Sequence, residues 1–166
     1  SHKYPERAEA AEKIFDGVNQ SDSDLFIIDR NLNLDPKKFK NVERYLYPSK
    51  YLKNLHGPLS HDQVLRLQKL LPLAINLNSV VTSQTMFANR AVELQAMGTL
   101  VLSNYSAGLN SRYPQITMLD SEVDTELFLG TLTDEYLSYC QVEGIREVFL
   151  NDTTFERVDE ILEAVG

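Results

Sequence analysis

Two charged residues that can do chemistry, Arg90 and Glu93, stand three positions apart in "MFANRAVELQAM", a segment whose apolar spacing predicts a helix. A loop of hydroxyl and amide residues from Ser79 to Thr85 precedes this segment. We expect Thr85 to cap the helix, whose first N–H groups then favour an anion such as a phosphate. The guanidinium of Arg90 can pair with a diphosphate, and the carboxylate of Glu93 can accept both hydroxyls of a ribose. The alternative is an exposed ion pair within the helix, which the spacing alone favours.

Short apolar segments alternate with amphipathic ones along the chain. This alternation predicts an α/β fold with three layers, in which helices cover a parallel sheet, and a single domain over residues 1–166. The segments predicted as strands are "DLFIID", "LAINL", "TLVLS" and "ITML". The predicted helices are "PERAEAAEKIFDG" with Gly17 near its end as a stop, "SHDQVLRLQKLL" with a Ser60/Gln63 capping box, 86–97 with Gly98 as its stop, and two or three more after residue 120. Residues 30–55 are predicted to form a long loop with one helical turn at "PSKYLKNL".

Polar residues follow three of the predicted strands, where ligands bind in open parallel sheets. They are Asp29, Arg30 and Asn31; Asn76, Asn78 and Ser79; and Ser103, Asn104 and Tyr105. A purely structural interpretation is also open: Arg30 can form a salt bridge with Asp29 or Asp35, and asparagines often form turns.

Composition excludes several classes of function. The formal net charge of −8 and the lack of a Lys/Arg cluster argue against a nucleic-acid partner. Cys140 is the only cysteine, so no intrachain disulfide is expected and a cytoplasmic setting is favoured. The longest apolar runs are far shorter than the roughly 20 residues of a transmembrane helix, so none is expected in this chain. The sequence also lacks the G-x-S-x-G, G-x-G-x-x-G and P-loop motifs of serine hydrolases, standard dinucleotide-binding proteins and NTPases.

Several stretches together resemble the C-terminal half of CgeB-like glycosyltransferases of the spore-maturation type, within the wider GT-B superfamily. The resemblance extends from Tyr4 to Leu162 and is most specific between Asn76 and Gly108. The stretches that carry it are "YPERAEAAEKIF", "LFIIDRN", "INLNSVVTSQTMFANRAVELQAMGTLVLSNYSAG" and "DTTFERVDEIL".

The resemblance implies a Rossmann-like domain that binds a nucleotide-sugar donor. A glutamate at the position of Glu93 typically holds the ribose in related retaining enzymes, and the loop before it offers backbone amides to the diphosphate or the sugar. Many members carry another glutamate eight residues earlier, where this chain has Thr85. "HGPLSHDQV" is similar to the superfamily's short strand, glycine and capped helix, with Pro58 and Leu59 along the base. The candidate donor-binding residues are therefore Arg30, Pro58, Leu59, Asn78, Ser83, Thr85, Met86, Phe87, Ala88, Arg90 and Glu93.

The implied reaction is glycosyl transfer from a nucleoside diphosphate sugar to a glycan, lipid or protein acceptor. Backbone amides, Arg30 and Arg90 would neutralise the leaving diphosphate in place of a metal, so neither a metal nor another cofactor is expected. We expect the chain to be the C-terminal part of a larger two-domain enzyme. Its partner would be an N-terminal acceptor-binding domain, and its location the cytoplasm or the inner face of the membrane. Two alternatives remain: a non-catalytic interaction module on a degenerate transferase fold, and a flavodoxin-like signalling domain, for which Asp29 is the only indication.

Overall fold

The computed structural model describes residues 4–33, 35, 37–42 and 45–165. The chain forms two compact units. Unit 1 comprises Ser1–Arg66 and Leu119–Thr131, and unit 2 comprises Leu67–Met118 and Leu132–Gly166. Both contain parallel strands accompanied by helices, so the predicted α/β class is confirmed, and the arrangement is compatible with a Rossmann-like fold.

Unit 1 is built around a short parallel strand pair and two packed helices. Ile27 lies opposite Leu55, and Ile28 opposite His56. The buried Tyr51 donates a hydrogen bond of 2.7 Å to Asp16 Oδ1, which ties a 3-10 helix to the first α-helix. The elements of unit 1 are α1 (Pro5–Gln20), β1 (Ile27–Ile28), the 3-10 helix (Ser49–Asn54), β2 (Leu55–His56) and α5 (Glu122–Thr131).

The sequence predicts that Gly17 ends α1, but the helix continues to Gln20. The glycine instead allows α1 and α5 to approach closely. A Cβ atom at this position would lie 2.5 Å from the carbonyl oxygen of Glu122 and 2.5 Å from Thr125 Cβ. The prediction was wrong because a glycine required by a packing contact looks, in sequence, like a glycine that ends a helix.

Unit 2 contains a three-stranded parallel sheet in the order β3–β4–β5. A core cluster of Ala91, Leu94, Val101, Leu109 and Tyr113 with Ile116 joins the middle strand to two of the helices. The strands are β3 (Leu73–Asn76), β4 (Leu100–Ser103) and β5 (Thr117–Met118), and the helices are α3 (Arg90–Ala96), α4 (Ala107–Arg112), α6 (Asp134–Asn151) and α7 (Thr154–Val165). Gly98 follows α3 with φ of 75°, in the left-handed region that glycine adopts without strain, and this confirms it as the stop.

The final helix, α7, has no buried residue. Its apolar side chains Phe155, Val158, Leu162 and Val165 recur at helical spacing and are exposed, Phe155 to 83%. Charged residues occupy other positions of the helix. Within the described residues, no helix combines the length and apolarity needed to cross a membrane.

The remaining helix, α2 (His61–Leu70), begins with the predicted capping box. Ser60 N–H donates to Gln63 Oε1 at 2.9 Å, and Gln63 N–H donates to Ser60 Oγ at 3.3 Å. The two residues thus satisfy donors that the first turn of a helix leaves unpaired.

Removing this cap is expected to weaken the fold measurably. We expect Ser60→Ala to lower the free energy of unfolding by about 1 kcal/mol. Ser138→Ala is the matched control, because Ser138 is exposed in the interior of α6, where alanine is the better helix former. Urea denaturation followed by circular dichroism measures both variants. Equal midpoints for the two would contradict the capping role.

Candidate functional site

A cluster of buried polar side chains lies at the carboxyl ends of β3 and β4. Ser103 Oγ accepts hydrogen bonds from the amide nitrogens of Asn76, at 3.2 Å, and Asn78, at 3.0 Å. The same hydroxyl donates to the carbonyl oxygen of Asn104 at 2.9 Å. All four residues are buried, and buried polar groups that are paired in this way hold a fixed geometry.

Asn78 and Asn104 extend the pairing of the two strands beyond their ends. Asn78 N–H donates to Asn104 Oδ1 at 2.7 Å, and Asn104 Nδ2 donates back to the carbonyl oxygen of Asn78 at 3.2 Å. The side chain of Asn104 therefore takes the place of a backbone peptide group in the ladder. This pairing fixes the point at which the chain leaves β3.

The β3–α3 loop comprises residues 77–89. It is bound to this cluster through Ala88, near the start of α3, and to α4 through Val81. Ala88 N–H donates to Asn78 Oδ1 at 3.1 Å, and Ala107 N–H donates to the carbonyl oxygen of Val81 at 2.8 Å. The ring of Phe87 packs edge-on against Tyr113, with centroids 5.7 Å apart. The loop is thus held by hydrogen bonds and an aromatic contact within unit 2.

Thr85 does not cap α3, contrary to the prediction. Ser83 Oγ accepts hydrogen bonds from the N–H groups of Thr85, at 3.3 Å, and Met86, at 3.0 Å, and so forms a local turn. The helix begins at Arg90 with Asn89 as its N-cap residue. Glu93 consequently lies in the first turn of α3, where its side chain is exposed.

The local turn changes which backbone amides are available to a ligand. The N–H groups of Thr85, Met86 and Ala88 are already used within the protein. In the described part of the chain, the N–H groups of Phe87, Asn89 and Arg90 have no acceptor within hydrogen-bonding distance. The free donors thus lie at the end of the loop and at the first residue of α3, three to six residues before Glu93.

The guanidinium of Arg90 contacts Gln68 near the end of α2. Amide oxygen and nitrogen are assigned from their hydrogen-bond partners. With the Gln68 oxygen toward Arg90, that oxygen accepts from Nη2 at 2.6 Å and Nη1 at 3.1 Å. The carbonyl of Gln68 also accepts from Thr99 Oγ1 at 3.3 Å, just before β4 begins. The guanidinium of Arg90 is therefore bound by a residue of α2 whose backbone is also linked to Thr99.

Partial burial lowers the pKa of Arg90, and the charge of Glu93 partly offsets this effect. Among the described residues, no ion pair joins Arg90 to Glu93, so the alternative interpretation of an intrahelical pair is not realised. The two charges interact only at longer range. Glu93 remains available to a ligand.

Three candidate residues belong to unit 1. Arg30 follows β1, and Pro58 and Leu59 follow β2, so all three lie beyond the carboxyl ends of neighbouring parallel strands. Asp29 is buried, and its Oδ1 accepts from Asn31 N–H at 2.9 Å, which makes it a turn residue. In the described ranges, Arg30 forms no ion pair with Asp29 or Asp35.

Three further observations concern the polar side chains of the chain. The hydroxyl of Ser106 is buried and has no hydrogen-bond partner among the residues described. Within the same residues, no group of three or more His, Cys, Asp or Glu side chains is arranged to hold a metal ion. The carboxylates of Asp22 and Asp24, in the turn after α1, are both exposed.

The structure joins Asn78 and Ala88 by a direct hydrogen bond, whereas Ser83 bonds only to Thr85 and Met86 within the loop. Glu93 follows in the first turn of α3. Sequence reasoning missed Gln68 and Gly108 as neighbours of the site. A glycine directly after a Ser-Ala pair that starts a helix is a signal for close backbone approach, and it could have identified Gly108. Nothing in the sequence signals the contact between Gln68 and Arg90.

No protein-family model matches this chain, and a search of curated proteins finds no significant match.

Proposed function

We propose that this chain is the donor-binding part of a nucleotide-sugar-dependent glycosyltransferase. The observation that carries the proposal is the fixed β3–α3 loop, which ends in free backbone donors followed closely by the exposed carboxylate of Glu93. Backbone N–H groups suit the oxygens of a diphosphate, and a carboxylate suits the paired hydroxyls of a ribose. These are two parts of one ligand, a nucleoside diphosphate.

In the proposed reaction, the glycosyl group moves from the nucleoside diphosphate to an acceptor hydroxyl, and the diphosphate leaves with added negative charge. The N–H groups of Phe87, Asn89 and Arg90 would stabilise that charge, because preorganised donors need no reorganisation when it develops. The guanidinium of Arg90 would contribute only after leaving Gln68. No metal is assigned a role. An acceptor-binding domain N-terminal to this chain would complete a cytoplasmic enzyme, so this chain alone is expected to bind donor without turnover.

Nucleotide binding tests the proposal directly. UDP, GDP, ADP and dTDP are titrated into the chain by calorimetry, and one of them is expected to bind saturably. Glu93→Ala is expected to weaken its binding by about tenfold or more, because it removes hydrogen bonds to a charged acceptor. Arg90→Ala is expected to change the affinity less, since the guanidinium is held by Gln68.

Glu163→Ala serves as the matched control, because Glu163 is exposed on α7 in the same unit. It removes the same charge without touching the β3–α3 loop. Binding of none of the four nucleotides, or an equal effect of Glu93→Ala and Glu163→Ala, would contradict the proposal.

A second candidate function is a non-catalytic interaction module. The observation in its favour is the exposed apolar side of α7, with Ile161 and Leu162 about 60% exposed. This function predicts that no nucleotide binds. The same titration therefore separates the two.

A further inference from the structure

Gly108, near the start of α4, lies directly against the β3–α3 loop. A Cβ atom built on it would lie 3.0 Å from the carbonyl oxygen of Gln84, 3.0 Å from Phe87 Cδ1 and 3.2 Å from the carbonyl oxygen of Ser83. Gly108 is buried, and its backbone is helical, so the absence of a side chain serves this contact. Any larger residue would push against the loop.

The atoms that Gly108 approaches belong to the part of the loop that carries the local turn. Ser83 supplies the acceptor of that turn, and Phe87 directly precedes Ala88, whose N–H is bound by Asn78. Two of the three contacts are backbone carbonyl oxygens, which cannot rotate away as the end of a side chain can. A methyl group at Gly108 therefore presses on loop backbone atoms, which have to give by a few tenths of an ångström to accept it.

We infer that Gly108 is a positioning residue for the nucleotide site. It touches no ligand, but because it has no side chain the β3–α3 loop can pack against it in the conformation that binds the nucleotide. This inference rests on the proposed function. A loop that already has its bound conformation loses less conformational freedom when the ligand binds, and this raises affinity. The free N–H of Phe87 lies within the segment that Gly108 contacts.

The test compares Gly108→Ala with Gly144→Ala in the full chain. The three atoms nearest to a Cβ built on Gly144 are side-chain atoms of Gln95, the closest at 3.3 Å, so this control adds the same methyl group in the same unit against a helix and not against the loop. Hydrogen–deuterium exchange at the amides of Met86 and Ala88 is measured without ligand. Titrations with UDP, GDP, ADP and dTDP are made on the same samples, together with urea midpoints.

We expect Gly108→Ala to speed exchange at Met86 and Ala88 and to weaken binding at least about fivefold, with a urea midpoint close to that of Gly144→Ala. Unchanged exchange would overturn the inference, as would faster exchange with unchanged affinity. If the wild-type chain binds no nucleotide while Gly108→Ala still speeds exchange, the proposed function fails and Gly108 only orders the loop. If Gly108→Ala does not fold, Ser83→Ala loosens the same turn from the surface, and unchanged affinity in that variant would count against the inference.

Discussion

Gly17→Ala is expected to lower the free energy of unfolding of unit 1 by about 1–3 kcal/mol. The new methyl group would lie 2.5 Å from a backbone carbonyl oxygen and from a Cβ atom of α5, closer than real Cβ atoms come to any neighbour. Alanine is favoured over glycine inside a helix by roughly 0.5–1 kcal/mol, but this gain is smaller than the cost of separating two packed helices. The steric cost therefore outweighs the gain in helix propensity, and the substitution lowers the free energy of unfolding.

Gly130→Ala is the matched control for this prediction. Gly130 lies in α5, is exposed, and has no atom within 4 Å of a Cβ built on it, so alanine should stabilise the helix by up to about 1 kcal/mol. Urea midpoints give the overall change, and hydrogen exchange in α1 and α5 assigns it to unit 1. A higher midpoint for Gly17→Ala would mean that α1 and α5 leave room for a methyl group at Gly17, contrary to the 2.5 Å contacts.

Asp152→Ala is expected to cost about 3 kcal/mol of stability, the lower end of the range for breaking a buried ion pair. The Asp152 side chain is 4% exposed and accepts hydrogen bonds from Arg112, at 2.6 Å, and also from Arg157 and Tyr113. Its removal takes the acceptor of the buried Tyr113 phenol, while Arg112 keeps the carbonyl oxygen of Asn151 and Arg157 keeps Glu160. The arginines are each about one-third exposed, so water can replace part of the loss.

The same contact makes stability depend on pH. Burial raises the pKa of Asp152, but hydrogen bonds from Arg112 and Tyr113, with the charges of both arginines, outweigh it and hold the pKa below its usual value. A depressed pKa in the folded state means that this stabilisation is complete above the unfolded pKa, near 4, and is lost as the pH falls through the folded pKa. Asp152→Asn keeps the shape and removes the charge. We therefore expect the wild-type chain to have a higher free energy of unfolding than Asp152→Asn above about pH 4, and this difference to shrink as the pH falls below that value.

Urea denaturation of the wild type, Asp152→Asn and Asp152→Ala from pH 7 to pH 3 tests both expectations. Tyr113→Phe isolates the phenol, with an expected loss of about 1 kcal/mol. A change of less than 0.5 kcal/mol for Asp152→Ala, on the scale of ordinary surface substitutions, would contradict the role given to this carboxylate.

Local sequence signals predicted the helices well where both partners of an interaction lie within one turn. The capping box of Ser60 and Gln63 and the stop at Gly98 are of this kind, and both are confirmed. The six-residue helix α4 and the two-residue strand β2 were not identified from their patterns, because neither is long enough to show a period.

The site was harder to predict because its geometry depends on contacts between distant residues. Thr85 was placed at the helix start on residue type alone, but the nearby hydroxyl of Ser83 takes its N–H and delays the helix to Arg90. The ligand-binding role of Arg90 stays a prediction, and the contact of its guanidinium with Gln68 joins two different helices, so no local pattern signals it. Glu93 and its nucleotide remain a prediction.

The peptide-like role of Asn104 makes this part of the protein sensitive to deamidation of that residue. Hydrolysis of the side-chain amide to a carboxylate would put an acceptor where Nδ2 now donates to the carbonyl oxygen of Asn78. Two acceptors would then face each other in a buried place, where one unpaired group costs about 1–3 kcal/mol. The end of β3 and the loop that starts there thus depend on the Asn104 amide remaining intact. Burial of this side chain helps to protect the amide from water.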